Sequence, residues 1–161
     1  MKYVLFFITN FILWLLLTWT INAQHLLIGL ALSFITTLVF GSLFINEPHK
    51  IFQLNRWFWF LYYVPLFIWE CLKANIDVAY RVVHPLMPIK PGIVKVRTEL
   101  KSDIAKTFLA NSITLTPGTL SVAIDGEYLY IHWINVEATD IEGASKRIVK
   151  VFEPLLKKIF D

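Results

Sequence analysis

Residues Tyr3 to Ile45 read YVLFFITNFILWLLLTWTINAQHLLIGLALSFITTLVFGSLFI and contain not one Asp, Glu, Lys or Arg. Of the charged residues in the chain, all except Lys2 lie at Glu47 or beyond. Because a charge-free stretch of this length is stable in hydrocarbon, the lipid bilayer is its natural solvent. The sequence therefore predicts a membrane part at the N-terminus and a water-soluble part after it.

The charge-free stretch divides into two apolar runs, Val4–Ile21 and Leu26–Ile45. At about 1.5 Å per residue, each run is about 27–30 Å long as a helix, which is enough to cross the hydrocarbon core. The four residues between them, Asn22 to His25, suffice only for a turn. We expect a tight transmembrane hairpin. The first run is longer than the core of a secretory signal, so we expect it to remain in the protein.

Basic residues lie at the outer ends of this hairpin. Lys2 precedes the first run, Lys50 and Arg56 follow the second, and the tip between the runs has neither Lys nor Arg. By the positive-inside rule, both ends of the hairpin lie in the cytoplasm.

A third apolar stretch, Trp57–Trp69, is too short to span a bilayer alone and contains Pro65. Its Trp and Tyr residues are typical of the headgroup level, and the helical pattern continues to Val83. Two topologies remain open. If this helix lies in the interface, the rest of the chain is cytoplasmic; if it crosses, the rest is outside. The positive charge that follows the helix favours the first.

The third helix is predicted to be amphipathic. Its polar stripe repeats every seven residues and consists of Arg56, Tyr63, Glu70, Asp77 and His84, with Lys73 and Arg81 beside it. The opposite side is predicted to carry Trp59, Leu66, Ile76 and Val83. An acid near a membrane can belong to an ion or proton path. The alternative is a structural or partner-facing surface with Lys73–Asp77 and Asp77–Arg81 as pairs. We favour the alternative, because a base lies one turn from each acid.

The remaining residues predict a small α+β layer in the order β-α-β-β-α. The predicted elements are a strand at Ile93–Thr98, a helix at Asp103–Ala110 capped by Ser102, a turn at Thr116–Thr119, two strands at Leu120–Ile124 and Tyr128–Ile134, and a last helix capped by Thr139 or Asp140 and broken at Pro154. The fold class is thus a membrane α-helical hairpin (residues 1–46), an amphipathic interfacial or third transmembrane helix (47–85) and a soluble α+β domain (86–161).

Composition excludes several functions. From Leu86 to Asp161 there are ten Lys or Arg and nine Asp or Glu, without a basic stripe, so we expect no nucleic-acid binding. The four histidines are far apart in sequence and Cys71 is the single cysteine, so we expect no metal site. No phosphate loop or nucleophile motif is present, and we expect no catalytic residue, cofactor or small-molecule substrate.

One segment is recognisable. Leu109-Ala110-Asn111-Ser112-Ile113-Thr114-Leu115-Thr116-Pro117-Gly118-Thr119 closely resembles the signature of the E subunit of Mrp-type (Mnh) multisubunit sodium/proton antiporters. Further resemblance lies in Ala74–Val78 with Pro85 after it, in Pro91–Val94 and in Leu129–Ile134. The resemblance covers essentially the whole chain.

This resemblance implies an accessory, non-catalytic membrane subunit of a cation/proton antiporter, with other antiporter subunits and the lipid bilayer as partners. It supplies no catalytic residue. We interpret ten positions as fold or subunit-docking residues: Glu70, Lys73, Asn75, Asp77, Arg81, Asn111, Thr114, Thr116, Pro117 and Gly118. Two alternatives remain, a homologous subunit of a membrane-bound hydrogenase-type redox complex and a membrane anchor that presents a small binding domain.

Overall fold

The computed structural model describes residues 2–42 and 53–161. It divides into two compact units, Met1–Gln53 and Leu54–Asp161, which are treated separately below. The predicted end of the second apolar run at Ile45 and the flanking Lys50 lie outside the described residues.

The first unit is a pair of helices, α1 (Lys2–Thr18) and α2 (Ala23–Phe40). Asn22 caps α2, and its side-chain oxygen accepts the N–H of His25 at 2.9 Å. The indole N–H of Trp14 donates to the carbonyl of His25 at 3.0 Å. Gly29 lies directly beneath Trp14, since a Cβ there would be 2.4 Å from the indole Cδ1. The two helices therefore pack closely along their length.

Helix α1 ends before the predicted end of its apolar run at Ile21, because it stops at Thr18 and Trp19 takes a left-handed backbone with φ of 49°. Of the described residues, only α2 forms a helix that is long and apolar enough to cross a membrane by itself. Most large side chains of both helices are exposed, and those buried in α2 are the small ones, Gly29, Ser33 and Thr37.

The second unit begins with α3 (Leu54–Val83), which continues through Pro65 without interruption. Its partner is the α+β layer, composed of β1 (Gly92–Arg97), α4 (Asp103–Leu115), β2 (Thr119–Asp125), β3 (Tyr128–Trp133), α5 (Ile141–Ile148) and α6 (Glu153–Phe160). The predicted order of elements is present, and the last helix is divided in two around Val149–Phe152, just before Pro154. Asp140, not Thr139, caps α5.

The sheet is antiparallel with the order β1-β3-β2. The predicted Asp125-Gly126 turn joins β2 to β3, and Gly126 has φ of 59°. Helix α4 packs on β2 and α5 packs on β1, while α6 packs on both α3 and α4. The largest fully buried side chains form the core between these helices and the sheet; they include Val96, Leu109, Ile113, Leu129, Ile131, Val149 and Leu156.

Both edges of the sheet receive a hydroxyl group from a neighbouring helix. On the β1 edge, the N–H of Arg97 donates to Ser145 Oγ of α5 at 2.8 Å. On the β2 edge, the N–H of Ser121 donates to Thr114 Oγ1 of α4 at 3.1 Å. Away from the helices, the sheet exposes Ile93 and His132.

The α3 helix is amphipathic as predicted, but one part of the face assignment was wrong. Trp59 was predicted on the apolar side, yet it packs against the core, and Lys158 Nζ lies 3.7 Å from its ring centroid. Trp59 follows Arg56 by three residues and precedes Tyr63 by four, so helical spacing places it on their face. Leu66, also assigned to the apolar side, is half-buried, whereas Ile76 and Val83 are exposed.

Candidate functional site: the junction of α3 with the Pro117-Gly118 turn

The segment with the recognised signature is the C-terminal half of α4 and the turn that follows. Helix α4 was predicted to end at Ala110, but it continues to Leu115. Ser112 and Ile113 are buried, and Ser112 Oγ donates to the carbonyl of Phe108 at 2.6 Å. The burial of Ser112 and Ile113 thus outweighs the weak helix propensity of Asn, Ser, Ile and Thr in this segment.

The turn is built as predicted. The N–H of Thr119 donates to the carbonyl of Thr116 at 3.3 Å, and Gly118 has φ of +90°, which favours glycine. A Cβ on Gly118 would lie 2.9 Å from Ile134 Cγ2 and 3.4 Å from Val78 Cγ2. Val78 belongs to α3, so the two motifs of the sequence, Ala74–Val78 and the turn, meet here.

A cleft of about 170 Å³ lies at this junction. Five of the ten candidate residues contribute to its lining, namely Glu70, Asp77, Thr116, Pro117 and Gly118. Trp133 at the end of β3, Ile134 directly after it and Arg147 of α5 also line the cleft. The volume is below the usual 300–1,000 Å³ of a small-molecule pocket, so the cleft offers little room for an organic ligand.

The acids at the cleft are all paired with bases. Glu70 Oε1 lies 2.7 Å from Lys73 Nζ, so Lys73 pairs one turn back rather than with Asp77 as predicted. Asp77 receives two bonds from Arg81, at 2.8 and 3.0 Å, and raises the pKa of that guanidinium above its ordinary value. Arg147 pairs with Glu137.

The remaining candidate residues lie around the cleft without lining it. Arg81 also donates to the carbonyl of Pro88 at 2.7 Å and so holds the chain that leaves α3. Asn75 is exposed and its Nδ2 donates to the carbonyl of Cys71 at 2.8 Å. Asn111 is exposed on α4, and Thr114 Oγ1 accepts the N–H of Ser121 on the edge strand β2.

Sequence reasoning missed several residues that hold the junction together. Tyr63 is buried, and its hydroxyl hydrogen-bonds to Ser112 Oγ, which joins α3 to α4. Burial raises the pKa of Tyr63 above its ordinary value. The position of Tyr63 in the polar stripe was a usable signal. Arg147 offered none, because it lies 70 residues after Asp77.

Among the described residues, no group of three or more His, Cys, Asp or Glu side chains is placed to hold a metal ion. With the acids paired, the cleft presents packed turn residues and satisfied hydrogen bonds. Its lining is that of a packed junction between α3, the Pro117-Gly118 turn and α5.

A family model described as Na⁺/H⁺ ion antiporter subunit matches residues 7–159. The chain belongs to this MnhE family. The resemblance in the sequence is thereby confirmed. The E1 subunit of a Na⁺/H⁺ antiporter of Staphylococcus haemolyticus is 36% identical over 151 residues, which cover 89% of this chain and 92% of that protein. The E subunit of a Na⁺/H⁺ antiporter of Alkalihalophilus pseudofirmus is 46% identical over a shorter match that covers 53% of this chain and 55% of that protein.

A solved structure extends the likeness to a different assembly. This MnhE-family chain is 45% identical to a chain of the membrane-bound sulfane sulfur reductase, described as an archaeal respiratory membrane complex. The match has a TM-score of 0.80 and covers 99% of each chain. The overall fold, including α3 and the α+β layer, is therefore shared with a chain of a respiratory complex.

Proposed function

We propose that this chain is an accessory, non-catalytic membrane subunit of a multisubunit Na⁺/H⁺ antiporter, which it supports in assembly and in cation efflux. The observation that carries the proposal is the match of the family model to residues 7–159. The relative in Staphylococcus haemolyticus, named as an antiporter subunit, covers nearly the same length.

The accessory role rests on the absence of charge in the N-terminal stretch. No Asp, Glu, Lys or Arg lies between Tyr3 and Ile45, and a cation crossing hydrocarbon needs charged or strongly polar ligands. A hairpin with this composition anchors and packs, and the ions move through larger subunits. Small buried residues such as Gly29 and Ser33 support close helix packing in the membrane.

The proposed topology is a transmembrane hairpin of residues 1–46 with both ends in the cytoplasm. The flanking Lys2, Lys50 and Arg56 support it, since cytoplasmic ends carry the positive charge. The α+β domain of residues 86–161 is then cytoplasmic.

We assign two roles to the candidate residues. Glu70, Lys73, Asp77 and Arg81 form ion pairs within α3 that support the helix, and Thr116, Pro117 and Gly118 form the turn that packs on it. Asn75, Asn111 and Thr114 are exposed, and we assign them to contacts with neighbouring subunits; Thr114 Oγ1 also accepts the N–H of Ser121.

The test is Na⁺/H⁺ exchange in inverted membrane vesicles from cells that contain every other antiporter subunit. Without this chain, we expect exchange and the intact complex on a native gel to be lost together. The wild-type chain should restore both. Unchanged exchange in its absence would contradict the proposal.

A matched pair of variants tests docking on α4. Asn111→Ala should lower the yield of the complex, whereas Thr107→Ala, exposed one turn earlier on the same helix, should not. Equal yields from both variants would remove Asn111 from the docking surface.

The second candidate is the corresponding subunit of a membrane-bound redox complex. It is favoured by the 45% identity to a chain of the sulfane sulfur reductase over 99% of both chains. Co-purification decides between the two, because a redox complex would bring subunits with redox cofactors, visible by their absorbance, with the tagged chain and an antiporter would not.

A further inference from the structure

Helix α3 has two faces with different surroundings in the folded unit. With 30 residues it is about 45 Å long. One face packs against the α+β layer. The other exposes large apolar side chains along the whole length of the helix, and we define this apolar arc by Leu61, Ile68, Trp69, Leu72, Ile76 and Val83.

The side of α3 opposite the arc contacts the rest of the unit near both ends and in the middle, while Lys73 and Asp77 keep half-exposed side chains. Near its start, Arg56 Nη1 donates to the carbonyl of Ile159 at 2.5 Å. In the middle, the ring centroids of Phe67 and Phe152 are 6.3 Å apart. Near its end, Val78 lies against the turn before β2, since a Cβ on Gly118 would be 3.4 Å from Val78 Cγ2. The α+β layer and α3 therefore form one folded unit, and the layer would enter the bilayer together with the helix.

This contact is incompatible with α3 crossing a bilayer while the layer remains folded on it. A crossing helix would draw the layer into hydrocarbon together with exposed ion pairs such as Arg97–Glu127 and Lys150–Glu99. Charged groups at membrane depth are strongly disfavoured. The structure thus favours one of the two topologies that the sequence left open.

The apolar arc has the composition of a surface in contact with lipid. It contains no charged side chain, and its members are between 52% and 82% exposed. Aromatic residues that favour the headgroup level, Trp57, Tyr62 and Tyr80, are exposed beside it. An exposed apolar face of this length on a helix marks a membrane or protein contact.

Pro65 lies on the exposed side of α3, four residues from both Leu61 and Trp69. Proline has no N–H, so the carbonyl of Leu61 lacks its helical partner. Water at the bilayer interface satisfies such a carbonyl, whereas in the hydrocarbon core a neighbouring protein group has to do so. This detail also favours an interfacial helix.

We propose that α3 lies parallel to the membrane plane, with its apolar arc inserted among the lipids of the cytoplasmic leaflet and the α+β layer on its water side. The inference rests on the proposed membrane hairpin, which attaches the chain that carries α3 to the bilayer. Since no basic residue belongs to the arc, insertion depends on apolar contact and needs no anionic lipid.

The test uses the full chain in lipid nanodiscs, with Cys71→Ser as the background and one nitroxide label per variant. Labels at Leu61→Cys, Trp69→Cys and Ile76→Cys report the arc. Val122→Cys is the matched control, because Val122 is also apolar and exposed but lies on β2. Collision rates with oxygen, which concentrates in lipid, are compared with those of a water-soluble nickel chelate.

We expect the ratio of oxygen to nickel collisions to be several-fold higher at all three arc positions than at Val122. The three ratios should also be similar, which indicates equal depth. They should not change between phosphatidylcholine and a mixture with phosphatidylglycerol. A ratio that peaks sharply at Trp69 would indicate a crossing helix and overturn the proposal. Low collision rates with both reagents would indicate burial against protein, and ratios equal to that of Val122 would indicate water; either result also overturns it.

A label at Leu13→Cys in α1 separates this inference from the proposed function. If Leu13→Cys reports hydrocarbon and the arc reports water, the hairpin stands and the interfacial helix fails. If the arc reports shallow lipid while antiporter exchange is independent of the chain, the interfacial helix stands and the antiporter role fails.

Discussion

Gly118 shows how a single residue without a side chain can govern a junction between elements. Its φ of +90° costs an L-residue strain, and a Cβ would be 2.9 Å from Ile134. Gly126 shares the positive φ, at 59°, but a Cβ there would meet nothing within 4 Å. The two glycines therefore separate backbone strain from steric contact.

We expect Gly118→Ala to lower the free energy of unfolding by about 2–4 kcal/mol, the combined effect of strain and overpacking. Gly126→Ala should lower it by only about 1 kcal/mol, because strain acts alone. Chemical unfolding of the detergent-solubilised chain, followed by near-UV circular dichroism, measures both. Equal losses would show that the approach to Ile134 does not matter.

The turn at Gly118 was predictable, since Pro and Gly occupy its two central positions. The close approach of Gly118 to Val78 was not, because no local pattern shows which helix a turn will contact. The same limit explains Arg147, which reaches the cleft only through the position of α5 in the fold.

At the scale of elements, α3 depends on a small number of buried contacts with α4 and α6. Ser112 Oγ donates to the carbonyl of Phe108, so the hydroxyl of Tyr63 must donate to Ser112. The Tyr63 ring also packs edge-on against Phe152, with centroids 6.3 Å apart.

Tyr63→Phe is expected to lower the free energy of unfolding by about 1 kcal/mol, because it removes one buried hydrogen bond. In Ser112→Ala, the Tyr63 hydroxyl has lost its acceptor, and we expect a loss of about 1–3 kcal/mol. The double variant should cost less than the sum of the two, as in any directly interacting pair. Tyr62→Phe, exposed on the same helix, is the control and should have little effect. If the losses from the two single variants simply add in the double variant, Tyr63 and Ser112 do not interact directly.

The elements themselves followed from simple patterns, but their faces did not always do so. The period of seven located the polar stripe of α3, and Pro154 located the break before α6. The error at Trp59 arose because an apolar residue was assigned to the apolar side without regard to its spacing from Arg56 and Tyr63. The extension of α4 to Leu115 required knowledge of what buries Ile113.

At the scale of the whole molecule, one buried carboxylate connects the sheet to the last helix. Glu153 at the start of α6 is 3% exposed and accepts bonds from Thr98 Oγ1, the N–H of Glu99 and Lys150 Nζ at 2.5–2.7 Å. Burial alone would raise its pKa, but these three bonds outweigh burial, and the pKa of Glu153 falls below its ordinary value.

A carboxyl with a lowered pKa in the folded state stabilises the fold above its unfolded pKa, about 4.3. That stability is lost as the pH falls through the lower, folded pKa. Glu153→Gln should therefore cost about 1–3 kcal/mol at neutral pH and progressively less below about pH 4, where the wild type loses the same interaction. Unfolding measured across this range tests the expectation.

The control for this prediction is Glu127→Gln, which breaks an exposed ion pair with Arg97 and should cost at most about 1 kcal/mol. A pH dependence that is identical in the wild type and in Glu153→Gln would mean that other carboxyls control the acid transition. Glu99 is the neighbour to examine then, since Lys150 and Lys157 also lower its pKa.

The hydroxyls at the two edges of the sheet affect how readily the sheet pairs with strands of other chains. A three-stranded sheet with free edges can recruit strands from other chains and begin to aggregate. Here Ser145 occupies an amide on one edge and Thr114 occupies one on the other. A strand from a second chain would have to displace these hydroxyls before it could pair along either edge, so both edges are partly protected against strand addition.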